Sequence, residues 1–200
     1  MGKVEIKKEI VLKVAQEIFA KYGLTKTTID DIAKAAGVGK SSIYYYFKNK
    51  EDIFRAVIES QVQMVGDRIK NAIESAKTPK EKLIAFVKTR MRCFREVAHV
   101  YNHVFKDEYL KHYEYIQRLR KEYDKNETEL VNQILSEGIK TGDFIIQDPA
   151  LASFVIMIGI KGLEYEWATE TDEAKMEQDS EKLFPILFYG IIKRDSDNPG

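Results

Sequence analysis

The sequence predicts an all-α protein: an N-terminal three-helix head built around a helix-turn-helix, joined by one long helix to a larger helical domain. Apolar residues recur at the helical period along nearly the whole chain, no stretch alternates as a convincing strand, and only four prolines interrupt 200 residues. The head is read as residues 1–50 and the larger domain as residues 51–200.

Each element has a local cause. Ile10, Val14 and Ile18, with Val11, Ala15 and Phe19 beside them, predict a first helix from about residue 4 to Tyr22, closed by Gly23. In "TKTTIDD" Thr27 or Thr28 caps the second helix, and Asp30 and Asp31 sit favourably in its first turn. Ile29, Ile32, Ala33 and Ala36 mark its buried face. Gly37 supplies a sharp turn, and a short third helix from about Lys40 to Phe47 buries Ile43 and Phe47, four apart.

From Lys50 to about Ala76 an amphipathic helix carries Ile53, Phe54, Val57, Ile58, Val62, Val65, Ile69 and Ile73. At ~1.5 Å per residue it reaches about 40 Å and so belongs to both modules. Thr78 as cap and Pro79 at the first helical position open the next helix. Helices are expected at about 79–97, 98–106 and 108–139. Asp148 and Pro149 start another that runs to about Thr169; "LASFVIMIGIKGLEYEW" is apolar almost all round and predicts burial on several sides. After a polar stretch at 170–180, "KLFPILFYGIIK" predicts a final helix that Pro185 kinks or offsets. The tail reads as frayed.

Composition narrows the function. No window holds 18 consecutive apolar residues and the start, "MGKVEIKKEI", is charged where a signal peptide is apolar, so a cytoplasmic protein without a membrane partner is expected. Cys93 is the only cysteine, which excludes a disulfide framework and a cysteine zinc cluster. Net charge is zero, yet residues 1–50 hold ten lysines against five acids, a net of +5 that leaves −5 for the remainder. That asymmetry suggests a basic module for a polyanion joined to an acidic module with another task.

Helical geometry over residues 40–48 points Ile43 and Phe47 inward. Lys40, Ser41, Tyr44, Tyr45 and Lys48 then fall largely on the outer surface, with Ser42 and Tyr46 at its margins. Hydroxyls and ammonium groups on an exposed helix that follows a tight turn suit the phosphates and base edges of double-stranded DNA. The competing use of these side chains is an aromatic helix that simply packs on a neighbour.

The stretch "AQEIFAKYGLTKTTIDDIAKAAGVGKSSIYYYFKNKEDIF", residues 15–54, resembles the N-terminal signature of the TetR family of bacterial transcriptional regulators. Phe19, Gly23, Thr27, Thr28, Ile32, Ala33, Gly37, Val38, Tyr44, Phe47, Lys50 and Glu51 stand at signature positions. The remaining three quarters of the chain match only in size and helical character. The resemblance implies a homodimer that holds two heads on a palindromic operator and releases it when a small-molecule effector binds the C-terminal module. It places Lys40, Ser41 and Ser42 at helix-start contacts and Tyr45 where bases are read. Tyr44 and Lys50 fall at phosphate anchors, Tyr46 at a further contact, and Thr27 or Thr28 at a cap that touches the DNA backbone. The family commonly has serine before and glycine within the turn-to-helix step; here Gly39 and Ser41 exchange that order.

For the effector, residues 86–115 supply Phe86, Arg90, Met91, Phe94, His99, His103, Phe105, Tyr109 and Tyr113, with Phe154, Met157 and Trp167 as an opposite wall. The same stripes also suit ordinary core. His99, His103 and Asp107 share a face if one helix carries them and would suit a divalent metal, but no second histidine pair or cysteine cluster supports that, and hydrogen bonding is the expected role. No metal and no cofactor is expected. An all-α enzyme would need a carboxylate pair such as two of Glu108, Glu114, Glu164 and Glu166, and no nucleotide loop, HExxH, GxSxG or paired ExxH motif accompanies them. A helical protein-binding adaptor would leave the exposed Lys, Ser and Tyr face without a task. Leu151, Phe154, Val155, Ile158, Leu163, Phe184, Leu187, Phe188 and Ile191 are candidates for a two-fold seam, and some of them must be intrachain core.

Overall fold

The computed structural model describes residues 3–101 and 105–169 together with Gln178, Lys182 and residues 184–186, with side chains at 7–96, Tyr115, Arg118, Leu119, 121–163 and those later positions. Among the described residues there are seven helices and no strand: α1 (Lys3–Lys26), α2 (Ile29–Ala35), α3 (Lys40–Tyr46), α4 (Lys50–Glu74), α5 (Pro79–Tyr101), α6 (Phe105–Thr141) and α7 (Pro149–Thr169). None is long and apolar enough to cross a membrane.

Gly23, at φ 79° and ψ 161°, breaks the α1 run where the sequence places its end, and residues 24–26 make a separate turn. The inward stripe of α1 is Val11, Ala15 and Phe19; Ile10 is exposed instead, one step around the helix from the expected face. These three pack with Ile32, Ala33, Ile43, Phe47, Ile53, Phe54, Val57 and Ile58 into a first core. Phe19 and Phe54 meet edge to face at its centre, ring centroids 5.7 Å apart. A second core joins Ile69 and Ile73 of α4 to Leu83, Phe86, Val87 and Met91 of α5, Val131, Ile134 and Leu135 of α6, Met157 and Ile160 of α7, and Phe184. α4 therefore contributes its first turns to one core and its last turns to the other.

Two expectations change here. The separate helix at 98–106 is absent: α5 runs unbroken through Tyr101. No glycine or proline lies between Pro79 and Gly138 to stop it earlier. His99 thus belongs to α5 and Asp107 to α6, while His103 between them lies outside the described residues. The second change concerns α7, whose first turn is capped by Asp148 through the Leu151 amide at 2.9 Å. Met157 and Ile160 face the core, but Leu151, Phe154, Val155 and Ile158 form an i, i+3, i+4, i+7 stripe that is more than half exposed. Among the described residues, α7 is covered on one side only. Leu187, Phe188 and Ile191 lie outside the described residues.

The inward aim of α3 sets the most direct test of the head. Ile43→Ala should destabilise the head by about 2–5 kcal/mol, whereas Tyr45→Ala should stay within about 0.5 kcal/mol, both read from urea unfolding. Equal effects would mean that the helix is rotated.

Candidate nucleic-acid interface

The face is built from α2, the turn and α3. Thr28, not Thr27, caps α2: its hydroxyl accepts from the Asp31 amide at 3.2 Å, and the Asp31 carboxylate accepts from the Thr28 amide at 2.9 Å. The Thr28 hydroxyl also donates to that carboxylate, and this bond, followed by the amide, holds the Asp31 carboxyl below its ordinary value. Thr27 is buried and donates its hydroxyl to the Gly23 carbonyl at 2.7 Å. Of the two threonines, only Thr28 is exposed.

Gly37 turns the chain at φ 64°, and the Val38 amide closes onto the Ala33 carbonyl at 3.0 Å. Gly39 then caps α3 from extended backbone without a side-chain bond. On α3, Ile43 is 0% and Phe47 5% exposed, while Tyr45 is 76% and Tyr44 49% exposed. Lys40, Ser41 and Lys48 are exposed; Ser42 and Tyr46 are half-buried. Tyr46 packs on the first core and stands edge-on to Tyr45 with centroids 5.0 Å apart, so the outermost ring rests on a fixed neighbour. No acid lies in the first turn of α3.

Two lysines are engaged within the chain. Lys50 donates to the carbonyls of Thr27 at 2.9 Å and Thr25 at 3.3 Å, which ties the start of α4 to the loop before α2. An ammonium has three donors, so this geometry leaves one for another acceptor. Lys40 forms an ion pair with Asp30 at 2.9 Å.

With this geometry in hand, the comparisons are direct. The profile of the bacterial regulatory proteins, tetR family, matches residues 11–57. Residues 11–57 thus form a DNA-binding head of the TetR type. It is 29% identical over 185 residues to the fatty acid metabolism regulator protein of Bacillus subtilis (strain 168), covering 90% of this chain and 93% of that one. It is 25% identical over 198 residues to the transcriptional repressor KstR2 of Mycolicibacterium smegmatis, covering 96% and 93%. The structure of the regulator FadR from Bacillus subtilis in complex with stearoyl-CoA matches it with a TM-score of 0.68 at 26% identity, over 92% of this chain and 99% of that one. The chain thus carries a TetR-type DNA-binding head, and the relatives it resembles along most of its length are transcriptional regulators.

In the body, the structure brings Phe86, Arg90 and Met91 of α5 and Met157 of α7 into the interior, with Phe94 half-buried. Phe154 is on the open side of α7 and does not join them. His103, and the side chains of His99, Phe105, Tyr109, Tyr113 and Trp167, lie outside the described residues. No group of three metal-ligating side chains occurs among the described residues.

Sequence reasoning missed the partner of Arg90. Its guanidinium donates to Glu127 at 2.7 Å, with both side chains buried. The signal was present: Glu127 falls in the Tyr123, Val131, Leu135 line on α6, and an acid among buried positions calls for a cation. Burial, and then the neighbouring Glu127, raises the Tyr123 hydroxyl well above its ordinary value. Also missed was the partner of Tyr115, an aromatic of the 86–115 stretch: on α6 it donates to Glu59 of α4 at 2.5 Å beneath the Arg55 guanidinium, 5.2 Å from the ring centroid.

The cap gives a pH prediction. Asp31 is depressed in the folded head, so its contribution is present above the ordinary carboxylate value of 3.8 and is lost as pH falls through the lower folded value. Thr28→Ala should lower the thermal midpoint at neutral pH, and the gap to wild type should narrow below pH 3.8. A gap independent of pH would show that the carboxylate is not coupled to the cap.

Proposed function

We propose that this regulator is an effector-released repressor: a homodimer that reads a palindromic operator with two copies of α3 and lets go when a long apolar acyl molecule enters the body. The observation that carries the DNA-reading part is the split on α3, where Ile43 and Phe47 are sealed and Tyr44 and Tyr45 stand out. Lys40, Ser41, Ser42, Tyr46 and Thr28 complete the face. Lys50 contributes chiefly by holding the loop that carries Thr28.

The effector class is drawn from the relatives and the core together. One relative is named for fatty acid metabolism, and a related regulator is seen with stearoyl-CoA. Phe86, Met91 and Met157 offer apolar and thioether surface on α5 and α7. The open stripe Leu151, Phe154, Val155 and Ile158 is the proposed seam, in which α7 meets its own copy.

Two connections would carry the signal. α4 belongs to both cores, and α6 reaches the head through Tyr115 and Leu119, which pack against the first core. Half-sites lie about 34 Å apart or at a multiple of that, so a small change in head separation prevents simultaneous docking. The effector need only favour the misfitting spacing.

Tyr45→Ala should weaken binding to a duplex selected from a random pool by about 1–3 kcal/mol and blur base preference, measured by fluorescence anisotropy. Unchanged affinity would remove Tyr45 from the reading face. On the wild-type complex, stearoyl-CoA should release the duplex and coenzyme A alone should not. Tyr115→Phe, which keeps the ring but loses the Glu59 bond, should retain duplex affinity and need a higher stearoyl-CoA concentration for half release. An unshifted midpoint would take that hydrogen bond out of the coupling.

A further inference from the structure

We infer that Asp30 acts as an internal stand-in for a DNA phosphate: it holds the Lys40 ammonium in the free protein and competes with the DNA backbone for it. The inference rests on the DNA-reading role of α3 and adds a residue that sets how tightly and how salt-sensitively that face binds.

The geometry is specific. Asp30 lies in the first turn of α2 and Lys40 is the first residue of α3, so the ion pair spans the helix-turn-helix itself, with Nζ to Oδ2 at 2.9 Å. Both side chains are about half or more exposed, 51% for Lys40 and 66% for Asp30, so the ammonium is within reach of an incoming phosphate while already occupied. Asp30 is not needed for the cap, because the capping box is made by Thr28 and Asp31. Its carboxylate takes no part in that cap and accepts from Lys40 instead.

Two states follow when DNA arrives. If Lys40 stays with Asp30, the pair is neutral and displaces no counterion. If Lys40 moves to a phosphate, a bare carboxylate remains close to the polyanion. Either way the favourable term from Lys40 is reduced, and the number of counterions released falls by up to one. An exposed pair of this kind is weak, so the restraint is a trim rather than a block. It suits a regulator that must let go, since an effector only has to overcome the affinity the head actually has.

The test is a double-mutant cycle on the full chain, using a fluorescein-labelled duplex enriched by the wild-type protein from a random-sequence pool and a potassium chloride series of about 50 to 200 mM. Asp30→Asn should bind about 3- to 5-fold tighter than wild type, with a log–log salt slope steeper by up to about 0.9. On a Lys40→Ala background the same change should gain clearly less, because only the repulsion of a bare carboxylate is then relieved. Asp30→Ser should repeat the gain, which guards against a folding defect in either variant. An equal gain with and without Lys40 would reduce Asp30 to general repulsion and overturn the inference, as would no gain with Lys40 present. If the wild-type chain enriches no duplex at all, the DNA-reading proposal fails first and takes this one with it.

Discussion

A helix of seven residues has little freedom in what it shows to solvent, and α3 is such a helix. It is held by Ile43 and by Phe47 at its end, both sealed in the first core. Burying two large apolar side chains is worth about 3–6 kcal/mol, far more than anything its exposed groups contribute in the free protein. The packing therefore fixes the rotation of the helix, and the rotation fixes Tyr44, Tyr45, Lys40 and Ser41 outward. The turn before it serves the same end. Gly37 accepts a positive φ that other side chains resist, and without that turn α2 and α3 would not share one core.

Around this seat, the head is closed by side chains that do not resemble a core. Lys50 crosses from α4 to the carbonyls of Thr25 and Thr27, and Thr27 itself is buried with its hydroxyl on Gly23. Both satisfy backbone acceptors that the break after α1 leaves open. The loop that presents Thr28 is thus pinned from two sides. Positions that look like DNA contacts by pattern are here partly structural, because the same loop must be rigid before it can be presented.

Much of this was legible locally. Gly23, Thr28, Gly37, Thr78, Asp148 and Pro149 mark ends and starts by their own backbone chemistry, and period alone placed Ile43 and Phe47 inward. The stop between α5 and α6 was not legible, because no glycine or proline lies there to mark it. The exposed stripe of α7 was also misread: a helix apolar on every side reads as buried all round, and only the packed chain shows which side stays open. Partners across helices were the other blind spot. Arg90 with Glu127, Tyr115 with Glu59 and Lys40 with Asp30 join residues 37, 56 and 10 apart in sequence; a local pattern can show that buried Glu127 needs a cation, but not which residue supplies it.

The Arg90 and Glu127 pair bears on how the body works. Burying an ion pair costs desolvation that mutual attraction repays only with good geometry, and an apolar replacement is often as stable. A pair retained at this position is better explained by what it specifies than by what it stabilises. It locks α5 to α6 in one register, one turn of α6 below Tyr123, whose ring lies 3.8 Å from where a side chain on Gly66 of α4 would begin. Three helices therefore meet at one buried polar point. α6 continues from that point to Tyr115 and the head. A shift of α6 against α5 has to break or carry the buried pair, which in the proposed release mechanism would disfavour intermediate positions. In the proposed release mechanism, such a restriction would pass a displacement on towards α3 rather than let packing absorb it.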